Sequence, residues 1–206
     1  MTEPGRFAFP ISLDVTGRRC LVLGGGFEAT DKAGKLSRAG ARVQVIAESV
    51  EPELEERALA GEVAWAARSW EARDVAGAFL VFLTPEDRER AAELSGLASS
   101  GGFLLCCIDV PEHCTFANPA TFSAGELTVA LSSGGRVPAV LRRLREDLEA
   151  ALSTPRVRAF LGQMARMREE LPAGERGAAL REAASGFGLE VRVRFPAWFG
   201  DDDAGR

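Results

Sequence analysis

Gly24, Gly26 and Ala29 stand at the spacing G-x-G-x-x-A within Gly24-Gly25-Gly26-Phe27-Glu28-Ala29. At that spacing the first glycine makes a tight turn and the second lets backbone N–H groups approach a phosphate. The third position needs only a small side chain, so that a helix can pack on a strand. The loop of Gly24, Gly25, Gly26, Phe27 and Glu28 is therefore a candidate seat for a pyrophosphate, with the positive end of the following helix behind it. About 20 residues further on, Glu48 and Ser49 follow an apolar run that ends at Ala47. A carboxylate there accepts the ribose hydroxyls of a dinucleotide and repels a 2′-phosphate, which favours NAD over NADP. Glu48 lies one residue past the best position, so a simply solvated side chain is the other reading. Thr84 ends another apolar run and either lines the same crevice or caps the Pro85 segment. Asp109 follows Phe103 to Ile108, where its carboxylate could hold or take a proton or else cap a turn before Val110-Pro111. Ser132-Ser133-Gly134-Gly135-Arg136 places hydroxyls and glycines ahead of a helix, a composition whose N–H groups hold anions.

The elements that must position these residues alternate. Arg19 to Leu23 reads as a buried strand and Ala29, Ala33 and Leu36 as the apolar face of a helix stopped by Gly40. Val43 to Ala47 is the next strand, so the glycine loop sits inside one βαβ unit. The outline repeats through a helical segment at Pro52 to Gly61, strands at Val63 to Ala67 and Phe79 to Leu83, a helix at Glu86 to Ser99 and a strand at Phe103 to Ile108. Such alternation predicts an α/β fold, a Rossmann-type, doubly wound and mainly parallel sheet. Val110 to Pro119 is a loop, and Glu126 to Leu131 one more strand. A helix runs from about Val137 to Leu152, and Arg-rich helical sequence continues from Thr154 past a Pro172-Ala173-Gly174 break to a last helix near Ala179. Val191, Val193 and Phe195 alternate as a short strand or docking arm before the acidic Asp201-Asp202-Asp203 tail. The domains expected are 1–112 for the dinucleotide, 113–152 as a linking strand and helix region, and 153–206 as a helical carboxyl-terminal domain.

The 206 residues are 46% hydrophobic, enough for one good-sized core and a smaller satellite. No apolar stretch nears the roughly 20 residues of a membrane span, and Met-Thr-Glu-Pro-Gly-Arg lacks the basic flank and apolar core of a secretion signal. No membrane partner and a cytoplasmic location are expected. The net charge of -5 gives no electrostatic reason to expect nucleic acid. Cys20, Cys106, Cys107 and Cys114 show no paired ligand spacing, so reduced core or loop thiols and no resident metal are expected.

Four segments carry a resemblance to the precorrin-2 dehydrogenases, the amino-terminal module of siroheme synthase. They are Phe9-Pro10-Ile11; Leu23-Gly24-Gly25-Gly26 with Lys32-Ala33; Ile108-Asp109-Val110-Pro111 with Phe116 and Pro119; and Val129-Ala130-Leu131-Ser132-Ser133-Gly134-Gly135. Their order and spacing match across about three quarters of the chain. The resemblance implies NAD-dependent oxidation of precorrin-2 to sirohydrochlorin, a step towards siroheme or cobalamin, with Asp109 as the functional aspartate and a homodimer formed through the region after residue 112. Precorrin-2 is a polycarboxylate, so Ser132, Ser133, Gly134 and Arg136 become its expected contacts. Arg142, Arg143 and Arg145 either join them or form an ordinary solvated helix face. Two departures from the family are expected: Cys106 stands where many relatives carry Asn, and no methyltransferase module like that of full siroheme synthase is expected. His113 either assists proton transfer or iron binding or is a surface loop histidine, and Fe2+ insertion is left open. A non-catalytic NAD sensor acting through a protein partner is the alternative from another class, and a purely structural assembly module a third.

Overall fold

A computed structural model describes residue 7 and residues 9–199. Five strands, β1 Arg19–Leu23, β2 Arg42–Ala47, β3 Ala64–Ala67, β4 Leu80–Leu83 and β5 Leu104–Cys107, pair in the order β3-β2-β1-β4-β5, every neighbouring pair parallel. Leu21 to Leu23 and Leu80 to Leu83 are buried throughout, the mark of central parallel strands covered on both faces. The strand order reverses between β1 and β4, so the crevice of the sheet opens beyond their carboxyl ends.

Helix α1, Phe27–Arg38, lays Ala29, Ala33 and Leu36 onto the sheet. It closes in a Schellman motif, Ala41 N donating to Leu36 O at 3.0 Å and Gly40 N to Ser37 O at 2.9 Å, with Gly40 at φ 81°. Lys32 is buried on this helix between Glu28 at 2.8 Å and Asp31 at 2.7 Å. Burial works against its charge, but those two carboxylates outweigh it and hold the ammonium above its ordinary value. Helix α2, Pro52–Leu59, starts with proline in its first turn and buries Leu54; α3, Ala91–Gly101, buries Ala91, Leu94 and Ala98 and ends at Gly102, φ 71°.

The described residues up to Ala120, with Ser132–Pro138, form one compact unit, and Thr121–Leu131 with 139–199 a second. The second contains all but the first residue of β6 Ala120–Ala124, which pairs with β7 Leu127–Leu131. Their two-residue link permits only an antiparallel hairpin, and Gly125 turns it at φ 62°. Helices α4 Pro138–Leu152, α5 Pro155–Glu170 and α6 Ala173–Ala183 follow, with Thr154 capping α5 by accepting from Val157 N at 3.3 Å. Phe160 stacks on Phe187 at 4.8 Å. No residue of α4, α5 or α6 is fully buried, and Val140 and Leu144 of α4 are exposed.

Four expectations need correction. The loop read up to Pro119 is followed at once by β6, an additional strand. The helix expected from Glu86 begins only at Ala91, because Pro85–Arg90 forms a tighter 3-10 turn interrupted at Asp87 (φ -107°, ψ 18°). The break before the last helix is confined to Pro172, which is its N-cap. Residues 188–195 form no strand and expose Val191, Val193 and Phe195, since alternation makes a strand only where an edge is available to pair. Asp201, Asp202 and Asp203 lie outside the described residues.

Candidate functional site

Three consecutive glycines are needed for three different reasons. Gly24 leaves β1 at φ 120°, and its N–H donates to Ile46 O at 3.0 Å, tying the turn to β2. A Cβ there would collide with Thr84 Oγ1 and lie 2.9 Å from Thr84 Cβ. At Gly25 a Cβ would collide with the Ser49 carbonyl and lie 3.0 Å from Val50 Cα, so the link from β2 to α2 can pass this close only to glycine. At Gly26 it would meet the carboxylate of Glu86. Gly26 is also the N-cap of α1 and supplies no side-chain capping bond, which leaves first-turn N–H groups to an incoming anion.

These glycines floor a groove of about 500 Å³ whose walls include Glu48, Ser49, Glu51, Ser69, Glu86 and Asp87, within the size range of ligand pockets. Glu48 follows β2, is exposed, and accepts a hydrogen bond from Ser69 Oγ at 2.6 Å. No motif or spacing in the sequence marks Ser69. The β2–β3 register, Ala47 opposite Ala67, brings the residues past the two strand ends together. Its neighbour Arg68 donates to both carboxylate oxygens of Asp74 at 2.7 Å and to Ser69 O at 3.0 Å. That guanidinium, helped by the Glu71 N–H, holds the Asp74 carboxyl down at about 2. Desolvation and the neighbouring Glu89 raise Asp87. A floor without side chains, an uncapped helix start and a carboxylate at the end of β2 fit a dinucleotide.

Other expected residues stand elsewhere. Thr84 does not line the groove. It is fully buried behind Gly24, with Oγ1 donating to Leu23 O at 3.1 Å, and its side chain makes no capping bond to the Pro85 turn. The Phe27 side chain points to solvent and Glu28 pairs with Lys32, so what these two residues offer an anion is backbone N–H. Asp109 is exposed and left-handed at φ 65°, a conformation aspartate tolerates better than most residues. Val110 N donates to Cys107 O at 3.2 Å, closing a turn with Asp109 at its tip. The register Leu23–Leu83–Cys107 sets this turn two strands from the glycine turn, about 10 Å at ordinary strand spacing.

Beneath the Asp109 turn the thiols are packed into the core. Cys107 N donates to Cys114 Sγ and the Cys114 thiol donates to Cys107 O, both at 3.2 Å. Burial pushes the Cys107 thiol up to about 12, and a hydrogen bond with Cys114 together with burial raises Cys106 as well. Cys106 is thus a core residue. His113 is half-buried, its N–H donating to Val110 O at 3.1 Å. In the Ser132 loop three N–H groups are already used internally, Gly134 N donating to Ser132 Oγ at 3.3 Å, Arg136 N to Ser133 O at 3.3 Å and Val137 N to Ser133 Oγ at 3.1 Å, while the Arg136 side chain is exposed. Arg143 pairs with Asp147 at 2.8 Å, and Arg145 with Glu149, along α4. Among the described residues no cluster of three or more His, Cys, Asp or Glu is placed to hold a metal ion, and no helix is long and apolar enough to cross a membrane.

The family model NAD_binding_7, described as NAD(P)-binding, matches residues 11–120. The chain belongs to that family. Siroheme synthase 1 of Pectobacterium atrosepticum is 38% identical over 156 residues, 76% of this chain and 32% of that protein. Siroheme synthase of Photorhabdus laumondii is 35% identical over 158 residues, 77% of this chain and 33% of that protein. The chain spans about a third of the length of these curated relatives. A solved structure described as SirC, precorrin-2 dehydrogenase, shares the fold with a TM-score of 0.69 at 22% identity, covering 84% of this chain and 88% of that one.

Proposed function

We propose that the chain binds NAD in the groove above Gly24–Gly26 and oxidises precorrin-2 to sirohydrochlorin on the way to siroheme or cobalamin. The observation that carries this reading is the pair of turns at one edge of the sheet, Gly24 after β1 and Asp109 after β5, on opposite sides of the β1–β4 switch point. The similarity to siroheme synthases across 76% of the chain supports it. The backbone N–H groups at Gly26, Phe27 and Glu28 hold the pyrophosphate, and Glu48 accepts from the adenosine ribose, beside Ser49. Bound NAD supplies the hydride acceptor. Asp109, exposed at its turn, takes the proton that leaves the macrocycle in the same oxidation. Ser132, Ser133, Gly134 and Arg136 contact substrate carboxylates, Arg136 through a bidentate pair. The chain works in the cytoplasm as a homodimer, a reading favoured by the exposed Val140 and Leu144 on α4.

The test is purified protein with NAD and enzymatically prepared precorrin-2, followed by NADH and sirohydrochlorin absorbance. Turnover is expected; none under conditions where a known precorrin-2 dehydrogenase works would refute the proposal.

A further inference from the structure

We infer that Ser69 and the Arg68–Asp74 pair set the choice between a ribose 2′-hydroxyl and a 2′-phosphate in the groove. This rests on the dinucleotide reading above and concerns residues that the glycine motif does not include. Glu48 by itself is an exposed carboxylate on a flexible stem. The Ser69 hydroxyl donates to its Oε1 at 2.6 Å, which fixes the carboxylate at the groove wall and leaves the second oxygen to accept from a ribose hydroxyl.

Arg68 is the cation next to this groove-lining serine, and a guanidinium is the group best suited to grip a phosphate with two parallel hydrogen bonds. Here that fork is already engaged, with Nη1 and Nη2 both on Asp74 at 2.7 Å and Nη1 also on Ser69 O at 3.0 Å. The Asp74 side chain is only 10% exposed and is anchored a second time by Glu71 N at 2.8 Å, so it does not release the arginine readily. Asp74 thus holds away from a 2′-phosphate a guanidinium that would favour it, while the same arginine braces the serine that aims Glu48. Selectivity rests on a positioned acceptor and on a sequestered cation.

The experiment titrates the full chain with NADH and, separately, NADPH, following nucleotide fluorescence, and confirms folding by circular dichroism. Wild type is expected to bind NADH at least about tenfold more tightly than NADPH. Ser69→Ala should weaken NADH about five- to tenfold, the size of one hydrogen bond to a charged group partly in water, and leave NADPH within about twofold. In turnover, KM for NAD should rise with kcat unchanged. Asp74→Asn, which keeps an acceptor for Glu71 N, should tighten NADPH several-fold, and adding Arg68→Met should cancel that gain. Failure of wild type to bind either nucleotide would remove the dinucleotide reading and this inference with it. If wild type prefers NADH but Ser69→Ala changes neither affinity, or weakens both equally, the inference alone falls.

Discussion

Gly24→Ala is the substitution that most directly challenges the account of the glycine turn. A residue with a Cβ at φ 120° occupies backbone space that L-residues avoid, at about 1–3 kcal/mol. The added methyl would also run into Thr84 Oγ1 and lie 2.9 Å from Thr84 Cβ and 3.2 Å from its Cγ2. Thr84 is fully buried, so relieving the clash means overpacking of about 1–3 kcal/mol or surrender of the bond to Leu23 O, worth about 1 kcal/mol. The total, about 2–6 kcal/mol, is a large part of the about 5–15 kcal/mol that holds an ordinary domain together. Urea unfolding followed by circular dichroism should therefore show a much lower midpoint. Gly26→Ala is the matched control, because the group its methyl would meet is the tip of Glu86, an exposed side chain that can rotate away. It should cost less than about 1 kcal/mol yet abolish measurable NADH binding, since the methyl stands where the phosphate must approach. A Gly24→Ala midpoint within error of wild type, or equal destabilisation by the two substitutions, would refute the reasoning.

Asp109→Asn should preserve the turn, since asparagine also enters the left-handed region, with a melting temperature within about 2 °C of wild type and unchanged NADH affinity; turnover should fall about 100-fold or more, and full activity would remove the carboxylate from the chemistry. Asp74, held at about 2 in the folded chain against an ordinary 3.8, contributes stability that is complete above pH 4 and lost as pH falls towards 2. Because Arg68 is 40% exposed, solvent screening reduces the contribution to about 1 kcal/mol. The difference in urea stability between wild type and Asp74→Asn should therefore shrink between pH 6 and pH 2.5. Cys106, Cys107 and Cys114 are buried, with Cys106 and Cys107 raised, so Ellman's reagent at pH 8 should react with them only at the rate of unfolding; rapid modification of native protein would contradict the packing.

The βαβ start was legible because its signals are local. Cys20 to Leu23 is an uninterrupted apolar run, Ala29, Ala33 and Leu36 recur at helical spacing, and Gly40 stands where a left-handed residue ends the helix. Strand β6 was not legible: in Ala120-Thr121-Phe122-Ser123-Ala124 small residues dilute the alternation that buries Phe122 and Ala124. The sequence places Thr84 at the correct edge but not in its layer, because whether a residue after a strand faces the crevice or the interior depends on what packs over it, here Gly24. Ser69 carried no signal in the chain at all. Its hydrogen bond to Glu48 joins residues 21 apart and exists only once β2 and β3 are in register. The Val191–Phe195 alternation shows the converse, a local pattern without a strand to complete it.

The sheet order β3-β2-β1-β4-β5 has a consequence for how such a chain can be altered. Glu48, Ser69 and Arg68 follow β2 and β3, on one side of β1, whereas Asp109 follows β5, on the other. Substitutions at residues this far apart act nearly independently. Under the proposed function, nucleotide preference can therefore drift, or be engineered, by changes at the Glu48 end of the crevice while the Asp109 turn keeps its geometry, and that turn can diversify while the Glu48 end stays unaltered.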